Sequence, residues 1–360
     1  MKLTNLKLHN FRNYEDVNLE FTEQFNVFIG ENAQGKTNLL ESIYALGVTK
    51  SHRTNKYQQL IRFDTDASLI QGTVEKSTTT TELELDLSAK GRKTKVDHLP
   101  TRKISDYFGN LNVVLFSPED LYLIKGGPKL RRDFLDIELG QINKIYLYEL
   151  MEYQKVLASR NAYLKQIINY ADIDEVYLEV IDEQLAKLGK QVVDLRIQFL
   201  ARLEETLQKI YQNIAHKDEK IEVSYLTDIK DDYAAQLKAN RRQDFIKGST
   251  QIGPHRDDLI FKINGKDVKN FGSQGQQRTV ILSLKIAEIQ LFFEETNEYP
   301  LLLLDDVLSE LDQQRQEHIF NAIKDDVQTF ITTTDLGILK DKLNKKYEVF
   351  EIQEGKIIND

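Results

Sequence analysis

Residues 30–37, Gly30-Glu31-Asn32-Ala33-Gln34-Gly35-Lys36-Thr37, match G-x-x-x-x-G-K-[ST] at every fixed position, and nothing else in the chain constrains its fold as tightly. The apolar run Phe25–Ile29 before it reads as a strand. Leu39, Leu40, Ile43 and Leu46 after it trace one helix face, with Gly47 as the expected stop. This is the strand–loop–helix context that a phosphate-binding loop needs. Glycines let backbone N–H groups wrap phosphates without a Cβ clash, and the helix N-terminus supplies partial positive charge. Lys36 is then expected to reach the β- and γ-phosphates of ATP, and the Thr37 hydroxyl to ligate Mg²⁺.

A second element lies 265 or so residues later. Leu301-Leu302-Leu303-Leu304 reads as a buried parallel strand ending in Asp305-Asp306. A carboxylate at that tip sits beside a phosphate loop, so Asp305 is the metal candidate and Asp306 the residue expected to position or deprotonate water. A single Asp there also fits helix N-capping. The third element is Phe271-Gly272-Ser273-Gln274-Gly275-Gln276-Gln277-Arg278, leading into a helix with Val280, Leu284, Ala287 and Leu291 on one face. It is a second glycine-rich helix N-terminus and so a second anion site. One nucleotide does not need two such sites from one chain. A head-to-tail dimer, in which Ser273–Gln276 cap the γ-phosphate held by the partner, is the economical explanation; a plain N-capped helix is the simpler one.

Between these elements the texture changes. From Pro128 to Pro254 there is no intervening proline, and Leu178, Ile181, Leu185, Leu188, Val192, Leu195 and Phe199 recur at spacings of three and four. That predicts a helix over about 174–214, about 60 Å long at 1.5 Å per residue. The seam is about three heptads, which favours a helical lobe or stubby arm over a long coiled coil. Alternating residues around Val17–Phe21 and Thr81–Leu87, and Ile260–Ile263 before Asn264-Gly265, predict strands and hairpins in the flanking parts. The expected architecture is α/β: an ABC-type ATPase head formed by 1–125 and 250–360, interrupted by a mainly α-helical lobe at 126–249.

Formal net charge is −9, which taken alone argues against nucleic acid. Its distribution argues otherwise. Lys50, Arg53 and Lys56, then Arg92, Lys93 and Lys95, then Arg131 and Arg132 fall in basic stretches, while acids gather around 172–183. These are candidate contacts to a DNA backbone, although each cluster also fits a solvated loop. There is no cysteine, no signal-peptide pattern and no apolar run near the roughly 20 residues of a membrane span, so a soluble cytoplasmic protein without a membrane partner is expected.

The three elements in this order, with an insertion between them, resemble ABC-type ATPases that act on DNA, including the heads of structural-maintenance-of-chromosomes proteins. Ser273–Gln276 resembles their signature motif and Ser309–Asp312 their D-loop. Asn10-Phe11-Arg12-Asn13-Tyr14 resembles their opening stretch, which implies that Arg12 approaches the nucleotide. Residues 30–38, Phe116–Leu121, Gly126–Pro128 with Arg131–Asp136, and Gly253-Pro254-His255-Arg256-Asp257-Asp258 narrow the resemblance to the RecF family over essentially the whole chain. It implies a nucleotide set of Arg12, Gly30 to Thr37 and Asn38. It also implies binding of DNA as duplex and at single-strand/duplex junctions, slow ATP hydrolysis serving as a switch, and action with RecR and RecO to load RecA at gaps. Two departures stand out. Transporter ATPases carry Glu where Asp306 stands, and a Gln and a His where Ser117 and Thr332-Thr333-Thr334-Asp335 stand. A transporter ATPase subunit and a non-hydrolysing, nucleotide-gated scaffold are the competing readings. His255 fits either a structural or a catalytic role.

Overall fold

The computed structural model describes residues 1–167, 169–170, 173–215, 218–324, 326–337 and 346–358. The chain divides into two compact units. The first comprises Met1–Leu121, Lys209–Lys217 and Arg278–Asp360, the second Tyr122–Gln208 and Asp218–Gln277.

The first unit holds two six-stranded sheets. In one, five parallel strands run in the order Tyr347–Gln353, Phe25–Ile29, Thr329–Thr333, Leu301–Asp305 and Val113–Phe116, with Lys356–Ile357 antiparallel at one edge. Leu301–Asp305, Thr329–Thr333 and Val113–Phe116 are buried throughout, which is why Leu301–Leu304 and Val113–Phe116 read as unbroken apolar runs rather than alternating ones. The strand before the phosphate loop and the strand ending in Asp305 are not neighbours. Thr329–Thr333 lies between them and hydrogen-bonds to both. The other sheet is antiparallel, in the order Tyr14–Glu20, Lys2–Phe11, Ala67–Glu75, Thr80–Ser88, Gly91–Val96, Leu99–Pro100. Val17 and Leu19 are buried between exposed neighbours, the expected half-buried alternation.

The helix after the phosphate loop spans Lys36–Val48. It does not stop at Gly47. Thr49 takes the left-handed cap, φ 57°, and donates its N–H to the Ala45 carbonyl. Gly47 instead lies where a Cβ would press within 3.0 Å of the Leu111 carbonyl, so close packing explains its lack of a side chain.

In the second unit, helices Pro128–Ile142, Lys144–Gln166 and Tyr233–Lys247 join the part up to Gln208 of a helix that runs Glu175–Ile214, matching the predicted 174–214. Leu178, Ile181, Leu185, Val192 and Phe199 of its seam are buried. So are Asp182 and Arg196, which no coiled-coil seam would tolerate without partners. Arg160 donates to Asp182 at 2.7 Å and Asp244 at 2.6 Å, and Arg241 donates to Asp182 at 2.8 Å. These charges tie three helices into a lobe. The unit also carries a three-stranded sheet, Lys266–Asp267, Asp258–Ile263, Ile221–Leu226. Asn264 and Gly265, at φ 51° and 74°, make the expected two-residue hairpin turn between Ile263 and Lys266. Among the described residues no helix is long and apolar enough to cross a membrane.

Candidate functional site

The phosphate loop is braced from behind by the turn at Asn10–Tyr14. Asn13 donates its amide to the Gln34 carbonyl at 3.1 Å, and the Tyr14 hydroxyl donates to the Gly35 carbonyl at 3.0 Å. Gly35 sits at φ 122°, and a Cβ there would meet the Asn13 amide at 2.6 Å, so both conformation and space demand glycine. Lys36 is only 6% exposed, and its ammonium donates to the Gly30 carbonyl at 2.6 Å and the Glu31 carbonyl at 2.8 Å. Burial lowers its pKa, while Asp306 and Asp305 oppose that shift. The amine is therefore held over the loop, facing two carboxylates, where a phosphate would need it.

Thr37 and Asp305 meet across 268 residues of sequence. The Thr37 hydroxyl donates to Asp305 Oδ1 at 2.9 Å, and Thr332 donates to the same oxygen at 2.8 Å. Burial raises the Asp305 pKa, and these two hydroxyls pull it back. A hydroxyl beside a carboxylate is a hard-oxygen donor pair of the kind Mg²⁺ takes alongside substrate phosphates. Among the described residues no three His, Asp or Glu side chains converge as an all-protein metal cage. Asp306 follows at φ 52°, half-buried, with its N–H donated to Thr332 Oγ1 at 2.8 Å. Thr332 thus pins both aspartates, a role with no local sequence signal. Ser309 donates to the Asp306 carbonyl at 2.8 Å, and Gln316 holds the same turn through the Leu308 and Leu311 carbonyls. Ser117, at the place where transporter ATPases carry a Gln, is buried and donates its backbone N–H to Asp120 at 2.8 Å.

Arg12 turns to Glu41, a fully buried carboxylate on the Lys36–Val48 helix. Its guanidinium makes a two-pronged contact at 2.8 and 2.7 Å and donates to the Gln59 carbonyl at 2.6 Å. Ser51 also donates to Glu41, and Arg53 lies 3.6 Å from it. Arg53 further donates to Asn38 at 2.9 Å, and Asn38 donates to Asn13 at 2.8 Å. Neither Glu41 nor Asn13 carries a local sequence signal that marks these contacts. His52 lies in the same turn, edge-on to Tyr44, its ring nitrogens buried without hydrogen-bond partners among the described residues and its pKa lowered by burial.

The basic candidates differ sharply. Lys50, Lys56 and Lys93 are exposed. Arg92 donates to the Thr49 carbonyl and the Tyr57 hydroxyl, and Lys95 pairs with Glu84 at 2.7 Å. Arg131 is removed from the candidate DNA contacts. It is 6% exposed, forks onto Asp258 at 2.7 and 2.9 Å, and spends its remaining nitrogen on the Leu123 and Gly126 carbonyls. Arg132, next along the same helix, is half-buried and donates to the Asp257 carbonyl at 2.7 Å.

Ser273 and Gln276 form a reciprocal capping box. Gln276 N donates to Ser273 Oγ at 3.2 Å, and Ser273 N donates to Gln276 Oε1 at 2.9 Å. Ser273 and Gln274 are exposed at the start of the helix Gln274–Thr296, while Val280, Leu284, Ala287 and Leu291 are buried. His255 accepts from the Tyr153 hydroxyl at Nδ1, 2.6 Å, because its Nε2 must donate to the Thr250 carbonyl, 3.0 Å away. Burial holds its pKa down at about 4. Both nitrogens are spent, which is the structural role.

Residues 2–358 match the family model of the RecF/RecN/SMC N terminal domain. A DNA replication and repair protein RecF from Enterococcus faecalis is 50% identical over 369 residues, spanning 99% of this chain and 98% of that protein. Another from Pediococcus pentosaceus is 49% identical over 366 residues with the same coverage. The solved structure of the recombination mediator protein RecF-ATP in the RecFOR pathway superposes with a TM-score of 0.90 at 35% identity, covering 99% of this chain and 96% of that one. The Smc head domain from Pyrococcus furiosus, at a TM-score of 0.54 and 14% identity over 99% of this chain and 95% of that one, shares the fold.

Proposed function

We propose a function from one premise: the chain belongs to the RecF family of DNA replication and repair proteins. It binds ATP in the Gly30–Thr37 loop, pairs head-to-tail with a second copy across the Ser273–Gln276 element, and engages DNA in that state. It acts with RecR and RecO to help load RecA at gapped DNA, and slow hydrolysis resets it. The observation that carries this reading is the meeting of Thr37 with Asp305 directly beside a complete phosphate loop. The solved RecF-ATP relative supports the nucleotide. The family sets the transporter-subunit reading aside.

The residues divide the work as follows. Loop N–H groups and the helix N-terminus hold phosphate oxygens, and Lys36 transfers its donors from the Gly30 and Glu31 carbonyls to them. Thr37 and Asp305 would hold Mg²⁺, which when bound neutralises phosphate charge and fixes its orientation. Asp306 orients water at the γ-phosphate. Its side chain is short, and Thr332 restrains its backbone, so it cannot advance as a longer acid would. Slow turnover follows. That restraint also favours a second reading, a nucleotide-gated scaffold in which hydrolysis is dispensable.

The two readings part on the aspartates. Asp305→Asn is expected to weaken Mg²⁺-dependent ATP binding by about tenfold, the worth of one charged contact. Asp306→Asn is expected to leave ATP binding within about threefold and to cut single-turnover hydrolysis by about a hundredfold, the lower end for a positioned general base. Equal losses of binding from both would remove the division of roles, and unchanged hydrolysis in Asp306→Asn would leave the scaffold reading.

DNA binding is tested by titrating labelled duplex at several salt concentrations with and without ATP. With ATP present, a Lys50→Ala/Lys56→Ala double variant should lower the slope of log affinity against log salt by about one to two, since each phosphate contact releases counterions. An unchanged slope would move the contact elsewhere. A wild-type chain that bound no DNA with ATP would sink the repair reading.

A further inference from the structure

The turn Gly253–Asp257 is built to a degree that its burial alone does not require. Gly253 sits at φ 134°, and a Cβ there would strike the Tyr233 hydroxyl and lie 2.6 Å from that of Tyr153. The Pro254 carbonyl accepts from Arg196 at 2.8 Å, and Arg196 is itself anchored on Asp136 at 2.7 Å and the Tyr146 hydroxyl at 3.0 Å. His255 is clamped at both nitrogens. Asp257 is buried against the Tyr225 hydroxyl. Gly253, Pro254 and Asp257 are buried and His255 is half-buried, so Arg256 is the one exposed side chain of the five.

Arg256 is not alone there. Arg132 donates to the carbonyl of Asp257, the next residue along. Among the described residues neither guanidinium forms an ion pair. Arg256 makes only long contacts to the Thr250 carbonyl, 3.3 and 3.4 Å. The charges felt at His255 are those of Arg256, Arg132 and Arg160, and of these Arg160 is neutralised by Asp182 and Asp244. An uncompensated guanidinium on a locked turn, with a second reaching it from the helix Pro128–Ile142, makes an anion site in a chain of net charge −9.

We propose that Arg256 and Arg132 form a phosphodiester-binding site on the second unit, a DNA-backbone contact distinct from the Lys50–Lys56 loop. This rests on the DNA-binding function proposed above. Guanidinium forks match phosphate oxygens in pairs. A protein-docking site would centre on an exposed apolar or aromatic anchor, and this turn presents none. The buried network fixes the backbone from which Arg256 projects, so its side chain starts from one place on the surface and only its own rotamers are ordered when a phosphate binds.

The test uses the full chain with ATP, Mg²⁺ and a fluorescent duplex, over a series of salt concentrations. Arg256→Ala, an exposed substitution, should weaken binding about tenfold, the lower end for a hydrogen bond to a charged group. It should also flatten the salt slope by about one, while ATP affinity stays unchanged. Arg256→Lys should keep the slope and lose part of the affinity, because charge remains and the fork does not. Arg132→Ala should flatten the slope likewise. If wild type binds DNA and Arg256→Ala binds with the same affinity and slope, the site is overturned while the repair function stands. If wild type binds no DNA, both fall.

Discussion

Lys36→Ala is expected to lose ATP binding by about two to four orders of magnitude. The ammonium makes two contacts at once, to the Gly30 and Glu31 carbonyls, and both donors are in place for phosphate oxygens. Hydrogen bonds to charged groups contribute about 1.5–3 kcal/mol each, so two are worth about 3–6 kcal/mol, and every 1.4 kcal/mol or so is tenfold. The site is nearly dry at this side chain, which strengthens the effect. Folding should be spared. The deleted amine leaves two loop carbonyls that water can serve, and Tyr14 and Asn13 still brace the loop from the other side. Calorimetric titration with ATP and Mg²⁺, alongside a thermal melt, separates the two. Binding within threefold of wild type would refute the loop as the nucleotide site. A collapsed melting temperature would show that Lys36 holds the fold together through those carbonyls, contrary to this account.

What the sequence made legible was what short spans encode. The phosphate loop announces itself because its glycines, lysine and hydroxyl all act within eight residues. Leu301–Leu304 announces a central strand because burial on both faces erases alternation. The long helix was legible from its seam. What stayed hidden depends on contacts that sequence separates. Thr332 gathers Asp305 and Asp306, yet a threonine in a β-run normally signals only strand propensity. Glu41 collects Arg12, Ser51 and Arg53, and nothing in its neighbours distinguishes it from a solvated acid. The adjacent Arg131 and Arg132 look equivalent on paper. Successive helical residues diverge by about 100°, so one is driven onto Asp258 in the interior and the other toward the surface. The strand Ile221–Leu226 is not legible in the sequence, because six residues of mixed polarity, following a 40-residue helix, carry too little pattern.

Ser273→Arg is expected to abolish ATP-driven dimers while leaving monomer ATP binding within about threefold. In the isolated chain Ser273 is a helix cap, and losing it costs about 1 kcal/mol. A cap alone therefore predicts a modest loss of stability and no effect on association. The trans reading predicts much more, because an arginine would fill the space where the partner's γ-phosphate docks. Ser273→Ala separates the two: it removes the cap without filling the site, so it should still dimerise, weakened by about tenfold or less. Sedimentation of each variant with ATP and Mg²⁺ reads the outcome. Mixing Ser273→Arg with Lys36→Ala then tests the geometry. Head-to-tail pairing gives one composite site carrying both defects and one carrying neither. The mixture should therefore recover a heterodimer with a single bound ATP, although each variant alone stays monomeric. Ser273→Arg dimerising like wild type would reduce the element to its capping role. A mixture that recovers nothing would mean that both composite sites must fill before the pair holds, and the single-site version of the trans model would be discarded.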